Sequence, residues 1–163
     1  MANAYSQLYY QIIFGIRGTG NSIPVKHKDK LHGFISEVVA NRKSKLIIAN
    51  SMPDHIHLLV SSKPSVLQSD LVRDVKALST TMLKDAGLVL PSFKWQQGYA
   101  MFSYAQSQVD DVYHYIENQE EHHQVRTFEE EYLAFLNKFE IEYERQYVFD
   151  KDQVFLPLRG SGS

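Results

Sequence analysis

The sequence contains no cysteine among its 163 residues, and this absence excludes several chemistries at once. Disulfide bridges, zinc sites built on thiolates and a cysteine nucleophile are all ruled out. A chain without cysteine also fits a reducing compartment, so we expect a cytoplasmic protein.

Long hydrophobic runs are missing as well. No segment approaches the roughly eighteen consecutive apolar residues of a membrane-spanning helix, and we expect no membrane insertion. The start, MANAYSQLYYQ, lacks the basic and apolar regions of a signal peptide. Hydrophobic residues at 44% and charged residues at 22% are ordinary for a globular protein. We expect one domain over residues 1–150 and a flexible tail over 151–163, which ends in GSGS.

Charge is unevenly distributed along the chain. The net charge of −2 by itself argues against a nucleic-acid-binding protein. However, residues 17–45 contain seven Lys or Arg against two acids, and residues 110–152 contain thirteen acids against four Lys or Arg. This asymmetry fits either one surface that attracts a polyanion or a pair of ordinary solvated helices, and charge alone does not separate the two.

The pattern of apolar residues predicts four strands and a series of helices. The order is β-α-β-β-α-β followed by C-terminal helices, which is the ferredoxin-like α+β arrangement with an antiparallel sheet and two helices on one face. The predicted strands lie in AYSQLYYQIIFGIRG, SKLIIANSM, HIHLLVSS and GYAMFSYA. The predicted helices cover 25–42, 65–87, 109–124 and 127–143, the last beginning with a capping box of Thr127 and Glu130.

The third strand begins with two histidines, His55 and His57, in the segment MPDHIHLLV. Residues two apart in a strand point to the same face, so both imidazoles project together and could chelate one divalent ion. Two solvent-facing polar residues on a half-buried strand would give the same pattern. A third ligand must come from elsewhere. Asp54 is a candidate because it is close in sequence, but it would point to the opposite face from His55 if the strand starts there.

The helix VDDVYHYIENQEEHHQ places Tyr115 and Gln119 four residues apart on one face, and His122 continues that face. A phenol and a carboxamide on a partly apolar face could serve a catalytic site. A tyrosine that packs at the edge of the core is the structural alternative, because the chain has ten tyrosines.

Four segments together resemble a known family. MPDHIHLLV, VRDVKALST, WQQGYAMFSY and VYHYIENQEEHH occur in the order and spacing of the small single-tyrosine HUH transposases, where HUH denotes His-hydrophobic-His. These include the insertion-sequence transposases and the REP-associated tyrosine transposases. The resemblance extends from the first strand to about residue 150.

The resemblance implies a function and a set of site residues. It implies Mg²⁺ or Mn²⁺ bound by His55, His57 and Gln119, with Tyr115 as the nucleophile. It also implies a homodimer that cleaves and rejoins single-stranded DNA near hairpins through a 5′-phosphotyrosine intermediate, with Tyr115 acting in its own subunit or in the other. Tyr113 is the rival nucleophile, but it lies about 200° around the helix from Tyr115 and has Glu117, not a glutamine, four residues later.

Basic and aromatic residues are the candidates for DNA contacts. The resemblance places a basic residue near the DNA at Lys76, and phosphate contacts reward positive charge more than geometry. The candidates for backbone contacts are Arg17, Lys26, Lys28, Lys30 and Lys76. Trp95, Tyr99 and Phe102 could stack on unpaired bases, although a core position is favoured for all three.

Two other functions stay open from the sequence. A domesticated relative would bind DNA hairpins without mobilising itself, yet all four site residues are present. A ferredoxin-like RNA-binding module would use the histidine pair structurally, and would bind without metal and without a covalent product.

Overall fold

The fold is an antiparallel sheet with helices on both faces. A computed structural model describes residues 4–157 of the chain. Its strands are β1 (Leu8–Arg17), β2 (Lys45–Met52), β3 (His55–Ser62), β4 (Lys94–Trp95) and β5 (Ala100–Tyr104). Its α-helices are α1 (Lys28–Asn41), α2 (Gln68–Asp85), α3 (Val109–Glu117), α4 (Gln119–His123), α5 (Phe128–Lys138) and α6 (Arg145–Val148).

The sheet order confirms the ferredoxin-like expectation. Strand β1 lies in the middle, β3 and β2 follow on one side, and β4 and β5 both pair with β1 on the other side. Strand β4 was not expected from the sequence, since two residues are too short to show the alternation that marks a strand.

Residues that alternate along β1 and β3 divide the core between the two faces. Ile12, Phe14 and Ile56 belong to a cluster with α1 and α2. Ile13 belongs to a second cluster with α5, and Leu59 belongs to a third cluster with α3. Because Ile56 points toward α1 and α2, its neighbours His55 and His57 must point toward the face that the C-terminal helices cover.

The predicted helix over 109–124 is wrong in one respect, because the chain forms two helices with a break at Asn118. The side chain of Asn50 on β2 supplies the reason. Its Nδ2 donates to the carbonyls of Ile116 (2.8 Å) and Glu117 (3.2 Å), which therefore end α3.

The chain after residue 150 contacts the domain where a flexible tail was expected. Gln153 forms a bridge with Arg17 of β1, and the Val154 amide donates to the Ile16 carbonyl at 2.9 Å. The Leu156 amide donates to Oδ2 of Asp54 at 3.0 Å. Backbone hydrogen bonds therefore hold residues 153–156, whereas the terminal GSGS lies outside the described residues.

Candidate active site

The histidine pair is buried beneath the C-terminal helices. His55 and His57 are 1% and 0% exposed, and their rings lie 5.2 Å apart between centroids. Strand alternation places them on the face toward α5, as the sequence predicts. The interpretation as two solvent-facing histidines is therefore wrong.

Each histidine is held in place by a hydrogen-bond acceptor at its Nδ1 atom. Nδ1 of His55 donates to Oδ1 of Asp54 at 2.7 Å, and Nδ1 of His57 donates to Oε1 of Gln11 at 2.8 Å. With Nδ1 protonated, a neutral imidazole directs the lone pair of Nε2 toward the interior of the site. Asp54 would face away from His55 only if β3 began at Asp54, but the strand begins at His55 and Asp54 lies in the turn before it.

The acidic side chain of Glu131 completes the cluster as its third member. Oε1 of Glu131 lies 2.9 Å from Nε2 of His57 and 3.5 Å from Nε2 of His55. Glu131 is 3% exposed and comes from the first turn of α5. Glu131 was not among the site residues predicted from the sequence, although the sequence contains one indication of its position. Glu131 follows Phe128 by three residues and precedes Phe135 by four, so an acid lies on the apolar face of an amphipathic helix.

Tyr115 reaches the same carboxylate from α3. Its hydroxyl donates a short hydrogen bond to Oε2 of Glu131, and its ring stacks on His122 at 4.3 Å between centroids. Burial, followed by the nearby negative charge of Glu131, raises the pKa of Tyr115 above its usual value. The phenol is therefore protonated in this arrangement.

Gln119 also lies at the site, although it begins a new helix. Its Oε1 is 3.3 Å from Nε2 of His55, and its Nε2 donates to the Tyr115 carbonyl at 3.4 Å. The structure thus brings Tyr115, Gln119 and both histidines together within one chain.

The electrostatics of the cluster favour an ionised Glu131. Burial would raise its pKa, but the charge of His57, the hydrogen bond with that ring and the nearby His55 outweigh burial and hold the pKa below its usual range. Burial also opposes the charge of His55, yet the hydrogen bond to Asp54 and the charges of Glu131 and Asp54 raise its pKa. For His57, burial outweighs the attraction to Glu131 and lowers the pKa.

These residues fit a divalent cation. The ligand atoms of His55, His57 and Glu131 all lie within 4.8 Å of one another. Nδ1 of His57 donates to Gln11, so the 2.9 Å approach of its Nε2 to a Glu131 oxygen needs either a second proton on the ring or a cation between the two atoms. Two imidazoles, a carboxylate and the amide oxygen of Gln119 form a mixed nitrogen and oxygen donor set that suits a divalent metal.

The predicted DNA-contacting cations occupy different environments. Lys26 and Lys30 are exposed at the start of α1, and Lys28 donates to Oδ1 of Asn50 at 3.4 Å. Arg17 lies 3.6 Å from Asp150 and 3.9 Å from Asp152, so its charge is already paired.

Lys76 binds protein backbone. Its ammonium donates to the carbonyls of Gln96 (2.7 Å), Gln97 (3.1 Å) and Gly98 (2.7 Å). Burial lowers its pKa to about 8. All three N–H groups are used, so Lys76 holds the segment between β4 and β5 in place.

The aromatic candidates also differ. Trp95 and Phe102 are 5% and 3% exposed, which agrees with the favoured core position, but Tyr99 is 37% exposed. Of these three residues, only Tyr99 is exposed.

The fold and the site together define a class of protein. A ferredoxin-like sheet that carries a buried His-hydrophobic-His pair beside a helical tyrosine is the domain of the small single-tyrosine HUH transposases.

The chain belongs to the family described as "Transposase IS200 like", whose profile matches residues 4–119. Glu131 lies beyond the matched residues. The ISDra2 transposase TnpA of Deinococcus radiodurans is 25% identical over 121 residues, which cover 69% of this chain and 84% of that protein.

Solved structures share the fold. A crystal structure of a D. radiodurans protein classed as a transposase has a TM-score of 0.57 at 20% identity, and covers 73% of this chain and 95% of that one. A REP-associated tyrosine transposase bound to a REP hairpin has a TM-score of 0.54 at 16% identity, and covers 76% of this chain and 73% of that one. In the part of the chain that the structure describes, no helix is long and apolar enough to cross a membrane.

Proposed function

We propose that this transposase is a metal-dependent enzyme that cleaves and rejoins single-stranded DNA at hairpin-flanked ends, with Tyr115 as the nucleophile. One observation supports the proposal. The Tyr115 hydroxyl contacts one oxygen of Glu131, and the Nε2 atoms of His55 and His57 lie near the other oxygen. In this proposal a nucleophile, the carboxylate that accepts its hydrogen bond and a set of metal ligands occupy one buried site.

The metal ligands in this proposal are His55, His57, Gln119 and Glu131. A divalent cation bound there would neutralise charge on the phosphate oxygens and lower the barrier to attack by an anionic nucleophile. Mg²⁺ and Mn²⁺ are the candidates, and we favour Mn²⁺ because Mg²⁺ sites are built mainly from oxygen ligands. Asp54 and Gln11 hold the two imidazoles in the orientation that binding requires.

The proposed reaction exchanges one phosphoester for another. The Tyr115 hydroxyl loses its proton, the phenolate oxygen bonds to phosphorus, and the bond from phosphorus to the 3′ oxygen breaks. The leaving 3′ oxygen takes a proton, and the 5′ end of the DNA stays on Tyr115 as a phosphotyrosine. Attack by another 3′ hydroxyl reverses these steps and joins a new strand, so the sequence needs no nucleotide hydrolysis.

Hairpin DNA and a homodimer belong to the same proposal. The structural relative bound to a REP hairpin supports hairpin recognition. Lys26 and Lys30 are exposed and offer positive charge to the phosphate backbone. Arg17, Lys28 and Lys76 already have partners within the protein, so they contribute less. In this chain Tyr115 lies beside its own histidines, with 6.1 Å between the ring centroids of Tyr115 and His57. We therefore propose that the resting site is formed within one subunit.

The test is covalent capture of DNA. Wild-type protein incubated with Mn²⁺ and a hairpin oligonucleotide that has single-stranded flanks should form a protein–DNA adduct resistant to SDS. Tyr115→Phe should form none, and Tyr113→Phe should form the adduct at wild-type level. Adduct formation by Tyr115→Phe, or by wild type in EDTA, would refute the assignment. Hairpin binding without any adduct would favour a DNA-binding relative instead.

A further inference from the structure

A groove runs between helix α2 and the segment around β4, on the sheet face opposite the histidines. We call it the α2–β4 groove, and its volume is about 490 Å³, within the usual range of ligand pockets. The residues that line it are Ser69, Val72, Arg73, Lys76, Ala77, Thr80, Lys84, Phe93, Lys94, Trp95, Gln96, Gln97 and Tyr99.

The floor of the groove is apolar and its polar atoms are already bonded. Phe93 and Trp95 are buried there, and the indole nitrogen of Trp95 donates to Oγ of Ser79 at 2.9 Å. The Gln96 and Gln97 carbonyls accept from Lys76, and the Gln97 amide donates to Asp150 at 2.9 Å. An occupant would therefore meet apolar surface and few free hydrogen-bonding groups.

The rim of the groove is basic. None of the residues that the structure describes along the groove is acidic, while four are Lys or Arg. Arg73 is paired with Asp70 at 3.0 Å, and Lys76 is bonded to carbonyls. Lys84 and Lys94 are exposed, and neither forms an ion pair with any described residue. Two cations are thus available to an anion that enters the groove.

Tyr99 supplies an aromatic face at one side of the groove. The residue is 37% exposed, and Nζ of Lys76 lies over its ring at 5.4 Å from the centroid. The ammonium is fixed by its three carbonyl bonds, so it holds the segment that carries Tyr99. A planar aromatic ring beside free cations is the combination that binds unpaired nucleotides.

The groove is connected to the histidine site through one strand. Oε1 of Gln96, in the groove wall, accepts from the Gly15 amide at 2.9 Å. Gly15 lies opposite His55 in the pairing of β1 with β3. The groove and the site are therefore connected through the central strand β1.

We propose that the α2–β4 groove binds an unpaired nucleotide of the single-stranded DNA that flanks the hairpin, with the base on Tyr99 and the adjacent phosphates on Lys84 and Lys94. This inference rests on the proposed function and adds a second DNA-binding site to it. Recognition in this proposal is by stacking and charge, which any of the four bases can satisfy, so we expect little preference among them.

Binding in EDTA tests the groove apart from catalysis. Two probes are compared by fluorescence anisotropy: a hairpin with a single-stranded extension and the same hairpin with a blunt end. Tyr99→Ala should weaken binding of the extended probe by about five- to a hundredfold and leave the blunt probe unchanged. Tyr5→Ala, at a fully exposed tyrosine, is the matched control and should bind both probes like wild type.

The two lysines are tested by salt dependence. Lys84→Gln combined with Lys94→Gln should lower the slope of log affinity against log salt by about 1.4 for the extended probe, or about 0.7 for each single-strand phosphate. Lys43→Gln combined with Lys45→Gln makes the same charge change at the start of β2, the far edge of the sheet, and should keep the wild-type slope. Iodouracil placed in the extension should crosslink to Tyr99 on irradiation.

The outcomes separate this proposal from the proposed function. If wild type prefers the extended probe and the groove variants bind that probe with the same affinity as wild type, the groove proposal is wrong and the proposed function stands. If the extension crosslinks to Tyr99 but no Tyr115 adduct forms with Mn²⁺, the groove stands and the proposed chemistry is wrong. If wild type binds both probes equally, the single-stranded extension adds nothing to binding and the proposal fails.

Discussion

The Tyr115 hydroxyl donates to one oxygen of Glu131, and the other oxygen of that carboxylate lies 2.9 Å from Nε2 of His57. A single side chain thus connects the proposed nucleophile to the proposed metal ligands. An acid in this position can hold the phenol in place and also add negative charge to the cation site.

Glu131→Gln should weaken Mn²⁺ binding by at least about tenfold, because it removes a charged ligand and keeps the shape of the side chain. Isothermal titration calorimetry measures this directly, without any DNA. Glu129→Gln, on the same helix but paired with Arg145 at the surface, is the control and should bind Mn²⁺ like wild type. Equal affinities of Glu131→Gln and wild type would remove Glu131 from the ligand set.

Asp54→Asn should lower Mn²⁺ affinity by about 10- to 100-fold through its effect on His55. The carboxylate accepts from Nδ1 of His55 and keeps Nε2 available, whereas an amide can present its NH₂ group and favour the other tautomer. Asp70→Asn changes a carboxylate paired with Arg73 on α2 and serves as the control. A normal affinity in Asp54→Asn, with normal thermal stability, would show that His55 needs no such partner.

Gly15→Ala should destabilise the fold by about 1–3 kcal/mol, because the surrounding atoms leave no room for the new methyl group. A Cβ at Gly15 would lie 2.6 Å from Cε2 of Phe128 and 2.6 Å from Nε2 of Gln153. Phe128 stacks on His55 with ring centroids 4.4 Å apart, so metal affinity should fall as well.

Gly33→Ala is the matched control for that substitution. Gly33 is exposed within α1, and a Cβ there meets nothing within 4 Å. Alanine should stabilise the helix by about 0.5–1 kcal/mol. Urea denaturation of both variants gives the comparison, and a Gly15→Ala protein as stable as wild type would contradict the close packing.

Acid should destabilise the fold through His32 on α1. Burial and the charge of Lys28 lower the pKa of this imidazole from 6.5 to about 4, and its Nε2 lies 2.9 Å from Oγ of Ser51. The unfolded chain binds the proton more readily than the folded one, so His32 costs no stability above about pH 6.5. The penalty develops as the pH falls from 6.5 toward 4.

His32→Gln cannot titrate and should therefore lose less stability than wild type over that interval. The measurement is the urea midpoint at several pH values between 4.5 and 7. His27→Gln, at an exposed position before α1, is the control, and its urea midpoint should change with pH as that of wild type does. Parallel curves for wild type and His32→Gln would show that His32 does not contribute.

The sequence by itself determined the fold class and half of the site. Alternation along β3 is a local property, so the spacing of His55 and His57 was sufficient to place both on one face. Helical spacing likewise brought Tyr115, Gln119 and His122 toward a common side, although the chain breaks at Asn118 between them. These patterns depend only on neighbours within a few residues, which is why they can be read without a structure.

Only the tertiary structure decided which distant groups complete that site. Glu131 lies 74 residues from its partner His57, and Gln11 lies 46 residues from the same ring. The resemblance predicts a DNA contact at Lys76, and the fold also brings three carbonyls to the same ammonium. No spacing rule encodes such contacts, because they arise when helices pack on a sheet and buried polar groups must find partners from other elements.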